Sequence, residues 1–541
     1  MRTTSKITVA AAAIAALALT ACTGGGATPG GSEQPADPNL PAGYASVADE
    51  SIESAGGPLH VQVDYDTAEA QGLDPAFAEI ARSWSIMGLV YESLVTVGPG
   101  FEIQPELAAS WEQPDDTTYV FDLQPGATFS NGRAVSAADV VGSLNRLRES
   151  GSVWSGQLGP IAEIADTSSG DAQQVTITLE TPFTPLLAAL ANTPAAILPM
   201  QEIEAGELDP TAEMLGSGAF TVAEHRQDES WSFEANAEWW NAEQLGIDAL
   251  ELTIAADDQT RLAGLRDGST QLANFSNPDA LSLLAGAQGV TAVSQTQSDF
   301  FYAMLNSVNP DSPFVDQQLR QTVNAVLDRQ GIVDLALAGA AVPTAVTPAN
   351  LPDACAADSV PSASAEPAAD ALAGESISLL IYNDDPSLTA LAQVVQQQLQ
   401  GAGAEVTLDS VDYGTYSERV YVAQPGDFQM ALGWFAGYGD ASMVTNWWNP
   451  ETAVFNAGFA QPHDDLSAAI AEAQALPAGT ERAEALQSVC DLADTHAEMV
   501  PLATRPQVVG IRSDQLSASV LSDEGYGDFL RLIAEFKTIE G

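Results

Sequence analysis

Positive charge is what this chain has least of. Its 541 residues hold 17 Lys and Arg against 73 Asp and Glu, a formal net charge of -56 at pH 7. Lysine occurs only as Lys6 and Lys537. A field of that sign repels phosphate backbones, which excludes nucleic-acid binding, and it disfavours peripheral docking on anionic lipid. The near-absence of lysine removes Schiff-base and Ser-Lys chemistry. Histidine is almost as scarce: His60, His225, His463 and His496 are the only four, and none has a second histidine at ligand spacing. No metal site is therefore expected, and His463-Asp464-Asp465 reads as solvated residues at a helix start. HExxH, phosphate-loop and paired CxxC motifs are missing, and Gly216-Ser217-Gly218 lacks the GxSxG spacing of a nucleophile elbow. Without a catalytic constellation neither an enzyme nor a cofactor is expected.

Cysteine is limited to Cys22, Cys355 and Cys490. The first closes a segment with Arg2 and Lys6 ahead of an apolar run from Ile7 to Leu19, too short for the ~20 residues of a spanning helix. Leu19-Thr20-Ala21-Cys22 resembles a bacterial lipobox, which implies cleavage before Cys22 and lipidation there. The protein is then exported and held on the outer face of the cell membrane by that lipid. Outside the cell the two remaining thiols are expected to pair as Cys355–Cys490, the alternative being two separate buried thiols. No later segment approaches ~20 uninterrupted apolar residues. The acidity suits a solvated surface protein, and a salt-adapted host would give the same pattern.

What is present is a globular composition, 45% hydrophobic, in a chain long enough for two or three domains. From Thr23 to about Ser54 the sequence is rich in Gly, Pro, Ser and Asp and has no period, so it reads as a flexible tether of about 30 Å reach. Alternating Leu59, Val61 and Val63 begin the globule; Tyr119, Phe121, Leu123 and Val175, Ile177, Leu179 continue in strand period. Ser136 with Asp139 opens a helix bearing Val140, Val141, Leu144 and Leu147, and another helix is expected over 316–330. The stretch 352–375 reads as a surface connection. A strand at 377–382, a helix at 388–400 and a strand at 405–411 then make a βαβ unit, hence a parallel sheet. A strand at 428–432 leads into Gly433-Trp434-Phe435-Ala436-Gly437-Tyr438, an aromatic, glycine-rich turn where ligands sit in open α/β sheets. Aromatics cluster around it as Tyr413, Tyr416, Trp447 and Trp448, with Phe300, Phe301 and Tyr302 where the first half gives way to the second.

Val90-Tyr91-Glu92-Ser93-Leu94, Pro105-Glu106-Leu107-Ala108 and Ser110-Trp111-Glu112 resemble the opening of family 5 extracellular solute-binding proteins. The likeness continues through Phe129-Ser130-Asn131-Gly132-Arg133, Gly216 to Phe220, Asn236 with Trp239-Trp240, and Leu327-Asp328-Arg329 to Pro501-Leu502. It implies an α/β, two-lobed type II periplasmic-binding fold (a Venus flytrap) with an extra subdomain in the first lobe. The expected plan is a signal peptide over 1–21, a lipid-anchored tether over 22–57, first lobe over 58–95, subdomain over 96–215, first lobe again over 216–300, second lobe over 301–497 and a first-lobe return over 498–541. The resemblance implies a monomer that captures a peptide-like solute between the lobes and delivers it to an ABC permease driven by cytoplasmic ATPases. By the match, Gly433, Trp434 and Phe435 contact peptide backbone; Tyr413, Tyr438 and Asp440 join them from the second lobe, facing Trp84 from the first. Peptide binders place an Asp three residues after that Trp for the ligand's ammonium; here it is Gly437, and Asp440 is the nearby substitute. Two other roles fit the same sequence: an oligosaccharide binder stacking sugars on Trp434 and Trp447, and a cell-envelope regulator or scaffold. An exported hydrolase comes last.

Overall fold

A computed structural model describes residues 40–539 apart from 68–71, 79–80, 278, 338–345, 357–358, 366, 384 and 436. The signal segment, Cys22 and most of the tether lie outside the described residues. Ten strands form one continuous path across the molecule, with an eleventh at its side. Two long strands, Thr291–Leu305 and Met499–Ile511, carry the sheet from one lobe into the other and are called here the crossing strands. They pair antiparallel from Thr291↔Ile511 to Met304↔Met499, with the register breaking between Thr296 and Phe300. Before the break the neighbours are first-lobe strands: Leu272–Phe275, the parallel pair Pro58–Val63 and Ala249–Ile254, and the hairpin strands Ser230–Ala235 and Phe220–Arg226. After it, Phe300–Leu305 pairs with Met430–Phe435, and the parallel strands Ser376–Tyr382 and Glu405–Val411 complete the second lobe. A second, smaller shift follows between Phe301 and Tyr302; the wider break, where the ladder is interrupted, is where two sheets can rotate with least loss of hydrogen bonds.

The expected βαβ unit is present. Ser376–Tyr382 and Glu405–Val411 run parallel over seven residues each, joined by the helix Pro386–Gly401. Asp385 starts that helix by accepting from the backbone N–H of Ser387 and Leu388, and Leu388, Leu391, Val395 and Leu399 form its buried side. The subdomain is a four-stranded antiparallel sheet ordered Ala108–Asp115, Thr118–Leu123, Gln174–Leu179, Ile161–Asp166. Against it lies the helix Ala137–Glu149, capped reciprocally by Ser136 and Asp139.

Four expectations need correction. The tether does not run free to residue 57: Tyr44–Ser46 pairs with Val520–Leu521, and Ser46 Oγ donates to the carbonyl of Ala518 at 2.8 Å. The helix expected over 316–330 is two, Gln317–Val326 and Arg329–Ala336, because Asp328 caps the second by accepting from Gly331 N–H. The return to the first lobe comes near Arg505 rather than at 498, since residues 499–504 pair within the second lobe and the strand stays buried along its whole length. Finally, the strand expected to end at 432 continues through Phe435, held by pairing to Phe300–Leu305.

Cys355 and Cys490 are disulfide-bonded, Cα atoms 6.7 Å apart, closing a separation of 135 residues and fixing the long connection to the helix Thr480–His496. Replacing both by serine is expected to cost about 2–5 kcal/mol, read as a lower denaturant midpoint; an unchanged midpoint would mean that packing alone fixes the connection. No helix among the described residues is long and apolar enough to cross a membrane.

Candidate functional site

Strand alternation sets the site. Along Met430–Phe435, Gly433 and Phe435 point into the second lobe's core and Trp434 points the other way, toward the first lobe. Gly433 is there for close approach: a Cβ would lie 2.8 Å from the Tyr416 hydroxyl oxygen. The Trp434 indole, partly buried, meets two guanidinium groups. Arg505, on a crossing strand at the register break, places its Cζ 4.1 Å from the ring centroid. Arg82, on the first-lobe helix Ala81–Met87, lies 5.9 Å from it. One aromatic face thus gathers a cation from the hinge and another from the opposite lobe.

Each cation is fixed by a carboxylate. Arg505 donates to Asp299 at 2.8 Å, and both side chains are almost wholly buried. Burial pushes the Asp299 carboxyl up to about 6, against the pull of Arg505 and Arg82. Arg82 pairs with Asp64 at 3.4 Å and donates to Ser276 Oγ at 3.0 Å. Asp64 also accepts from Asn274 and Ser276; burial opposes its ionisation, but Arg82, Arg261 and those hydrogen bonds hold it below the usual carboxylate range. Asp385 contributes charge from the second lobe, acting on both Asp299 and Arg82. On the same lobe Tyr382 packs edge-to-face against Tyr413 and Tyr416, ring centroids 5.3 and 5.0 Å away. Tyr413 is 49% exposed.

The lobes meet around this group. Ser298 Oγ donates to the Tyr438 carbonyl at 2.8 Å, and Thr184 of the subdomain bonds the carbonyls of Gln474 and Leu476 through its N–H and hydroxyl at 2.8 and 2.7 Å. Gly437 lies flat on the hinge: a Cβ there would sit 2.1 Å from the Ser298 carbonyl carbon and 2.3 Å from Asp299 N.

Of the residues expected at the site, the structure brings Trp434 to the interlobe face and Tyr413 near it. The others are placed elsewhere. Trp84 is fully buried, its indole N–H donating to the Ala78 carbonyl at 2.8 Å and its ring edge-on to Trp154 and Tyr526. Phe435 stacks between Tyr302 and Trp447 in the second-lobe core, centroids 4.3 and 4.6 Å away. Tyr438 stacks on Trp447, which is itself buried, so Trp434 and Trp447 do not form a sugar-stacking pair. Asp440 caps the helix Ala441–Thr445 and binds Arg482 at 2.6 Å, so it is not free to take a ligand's ammonium. Gly433 faces Tyr416 as described. The sequence reading missed Arg82, Arg505, Asp299 and Asp64. The signal was available: in so acidic a chain, an arginine within the otherwise small and apolar run around 505 is a misfit that needs a partner.

Two motif residues prove structural. Glu92 Oε1 accepts the indole N–H of Trp239 and Trp240 at 2.9 and 2.8 Å, while its Oε2 is buried without a partner. Burial raises Glu92 to about 7, opposed by the two indoles; burial and then the Glu92 charge raise Glu106 as well. Between about pH 4.5 and 7 the folded chain therefore holds a proton that the unfolded chain has released, and stability falls as pH rises through that window. Glu92→Gln is expected to flatten this slope and to stabilise the protein at pH 8 by on the order of 2 kcal/mol. Melting curves at pH 5 and pH 8 check it; a variant less stable than wild type at both would contradict it.

The sequence profile of bacterial extracellular solute-binding proteins, family 5 Middle, matches residues 102–456. Among curated relatives, the glutathione-binding protein GsiB of Salmonella typhimurium is 26% identical over 421 residues, 74% of this chain and 80% of the relative. The periplasmic oligopeptide-binding protein OppA of Haemophilus influenzae is 26% identical over 479 residues, 80% of this chain and 86% of the relative. Haemophilus influenzae OppA in complex with RPPGFSPFR superposes with a TM-score of 0.74 at 20% identity, covering 90% of this chain and 100% of that one. The Escherichia coli murein tripeptide binding protein MppA gives 0.75 at 18%, covering 91% and 100%. The chain belongs to the family 5 extracellular solute-binding proteins, and its fold is that of the two-lobed type II binding proteins.

Proposed function

We propose that this family 5 binding protein captures a peptide-like solute between its lobes and hands it to an ABC permease. The observation that carries the reading is Trp434, an aromatic surface aimed at the opposite lobe and flanked by Arg505 from the hinge and Arg82 from across the interface. A ligand laid on that ring touches both lobes, and only contacts to both favour the closed arrangement over the open one. The lining carries both signs, Arg82 and Arg505 beside Asp64, Asp299 and Asp385, which suits a zwitterion such as a short peptide. The names of the relatives, which include glutathione- and oligopeptide-binding proteins, support the same class. With Gly437 against the hinge, Asp440 held by Arg482 and Asp299 held by Arg505, the ligand's ammonium is left to Asp385 rather than to the turn. Lipidation at Cys22, with the chain ahead of Tyr44 as the tether holding the lobes at the outer membrane face, belongs to the same proposal and rests on the Leu19–Cys22 motif.

Thermal-shift screening of ligand-free protein against peptide pools, oligosaccharides and Ni(II) tests the reading. Peptides are expected to raise the melting temperature by mass action. Stabilisation by sugars and never by peptides would overturn the ligand class; silence throughout would favour an envelope scaffold, and turnover of any compound would make the chain an enzyme.

A further inference from the structure

We propose that the second lobe carries a transition-metal site, separate from the interlobe cleft, formed by His463, His496 and Asp465. These are two of only four histidines in the chain, and they come from different elements. His463 precedes the helix Asp464–Ala475, and His496 ends the helix Thr480–His496. Ala497 adopts the left-handed conformation, φ 50°, a strained choice for a residue with a side chain. The reversal it produces brings both His496 and Glu498 against His463. One ligand atom from each of His463, Asp465 and His496 lies within 4.8 Å of the others.

The donors lie within reach of one ion, though the rings must turn to aim at it. The two imidazoles stack with centroids 3.6 Å apart and planes at 11°. His496 Nε2 lies 3.2 Å from Asp465 Oδ1, and its Nδ1 is buried without a partner. His463 Nε2 lies 3.0 Å from Glu498 Oε2, and Glu498 is held in turn by Ser307 Oγ and by Gln461 N–H at 3.2 Å. A carboxylate fixing one ring nitrogen leaves the other to face an ion, the usual support for a ligating histidine. Here that leaves His463 Nδ1. Asp465 is 55% exposed at the side chain, so the site opens to solvent and rings and carboxylate can turn until their donors converge at about 2.0–2.2 Å. Two imidazole nitrogens with one carboxylate suit Zn2+, Ni2+ or Cu2+; Mg2+ and Ca2+ prefer oxygen-only shells. Met499 begins the crossing strand that reaches Arg505 about 20 Å further on, so the ion would staple two helix ends to the root of that strand without touching the Trp434 face.

The test uses chelator-treated, tag-free protein titrated with ZnCl2 and separately with MgCl2. One Zn2+ per chain is expected, with a melting temperature raised by about 2–4 °C at saturation, and no response to Mg2+. The double variant His463→Ala, His496→Ala is expected to lose the zinc shift, and Trp434→Ala to keep it. Should the double variant misfold, Asp465→Asn carries the test, with zinc affinity falling about tenfold or more. Absence of stoichiometric binding, an equal response to Mg2+, or a zinc shift that survives these substitutions would overturn the proposal.

Discussion

Trp434→Ala lowers affinity for the captured solute by about 100-fold, the scale on which a central aromatic contributes to an interface. The substitution removes a large aromatic face turned toward the first lobe. It also leaves Arg505 without the ring beneath its guanidinium, 4.1 Å from the centroid. Because Trp434 is only partly buried and lies on the interlobe side of its strand, the second-lobe core of Phe435, Tyr302 and Trp447 stays filled. The melting temperature of the ligand-free protein therefore changes little while binding collapses. Calorimetric titration with a peptide found by screening separates the two effects. Affinity within threefold of wild type would remove Trp434 from the contact surface.

Gly437→Ala is expected to lower stability more than other single substitutions at the hinge. The added methyl would sit 2.1 Å from the Ser298 carbonyl carbon, 2.2 Å from Ser298 Oγ and 2.3 Å from Asp299 N. Two of those three atoms are backbone, in the strand where the register breaks, so no side-chain rotation relieves the clash. Either the turn lifts from the hinge, losing the Ser298–Tyr438 hydrogen bond, or the crossing strand shifts and carries Asp299 away from Arg505. Overpacking of this kind costs about 3 kcal/mol. Denaturant unfolding of Gly437→Ala should show that loss, and Gly437→Asp, which restores the carboxylate of peptide binders, should be worse. A stable Gly437→Asp variant with tighter peptide binding would place the turn away from the hinge.

The two lobes and the subdomain came from the family resemblance, whereas individual strands, helices and the βαβ unit were legible in the sequence because each rests on local signals. Examples are the alternation at Leu59, Val61 and Val63, the Ser136–Asp139 cap and the Gly401–Gly403 stop after an apolar helix face. The site was only half legible. Trp434 was singled out for its place at a strand end, and its ring does lie toward Arg82 of the first lobe. Phe435 and Tyr438 were drawn in by proximity, yet strand period sends Phe435 to the opposite face, and Tyr438 is claimed by Trp447. Nothing local distinguishes a stacking aromatic of the core from one of a pocket. Arg82, Asp299 and Arg505 escaped notice because their meaning is a contact between distant segments: Arg505 finds Asp299 across more than two hundred residues. His463 and His496 are the same case, each unremarkable until a helix end is folded onto a helix start.

Small-angle scattering with and without a bound peptide tests the central claim most directly. If two lobes hinge at residues 297–299 and 505 and clamp a solute on Trp434, ligand-free protein has the larger radius of gyration and saturating peptide contracts it. A peptide that binds tightly while the radius stays that of the ligand-free protein would contradict the account.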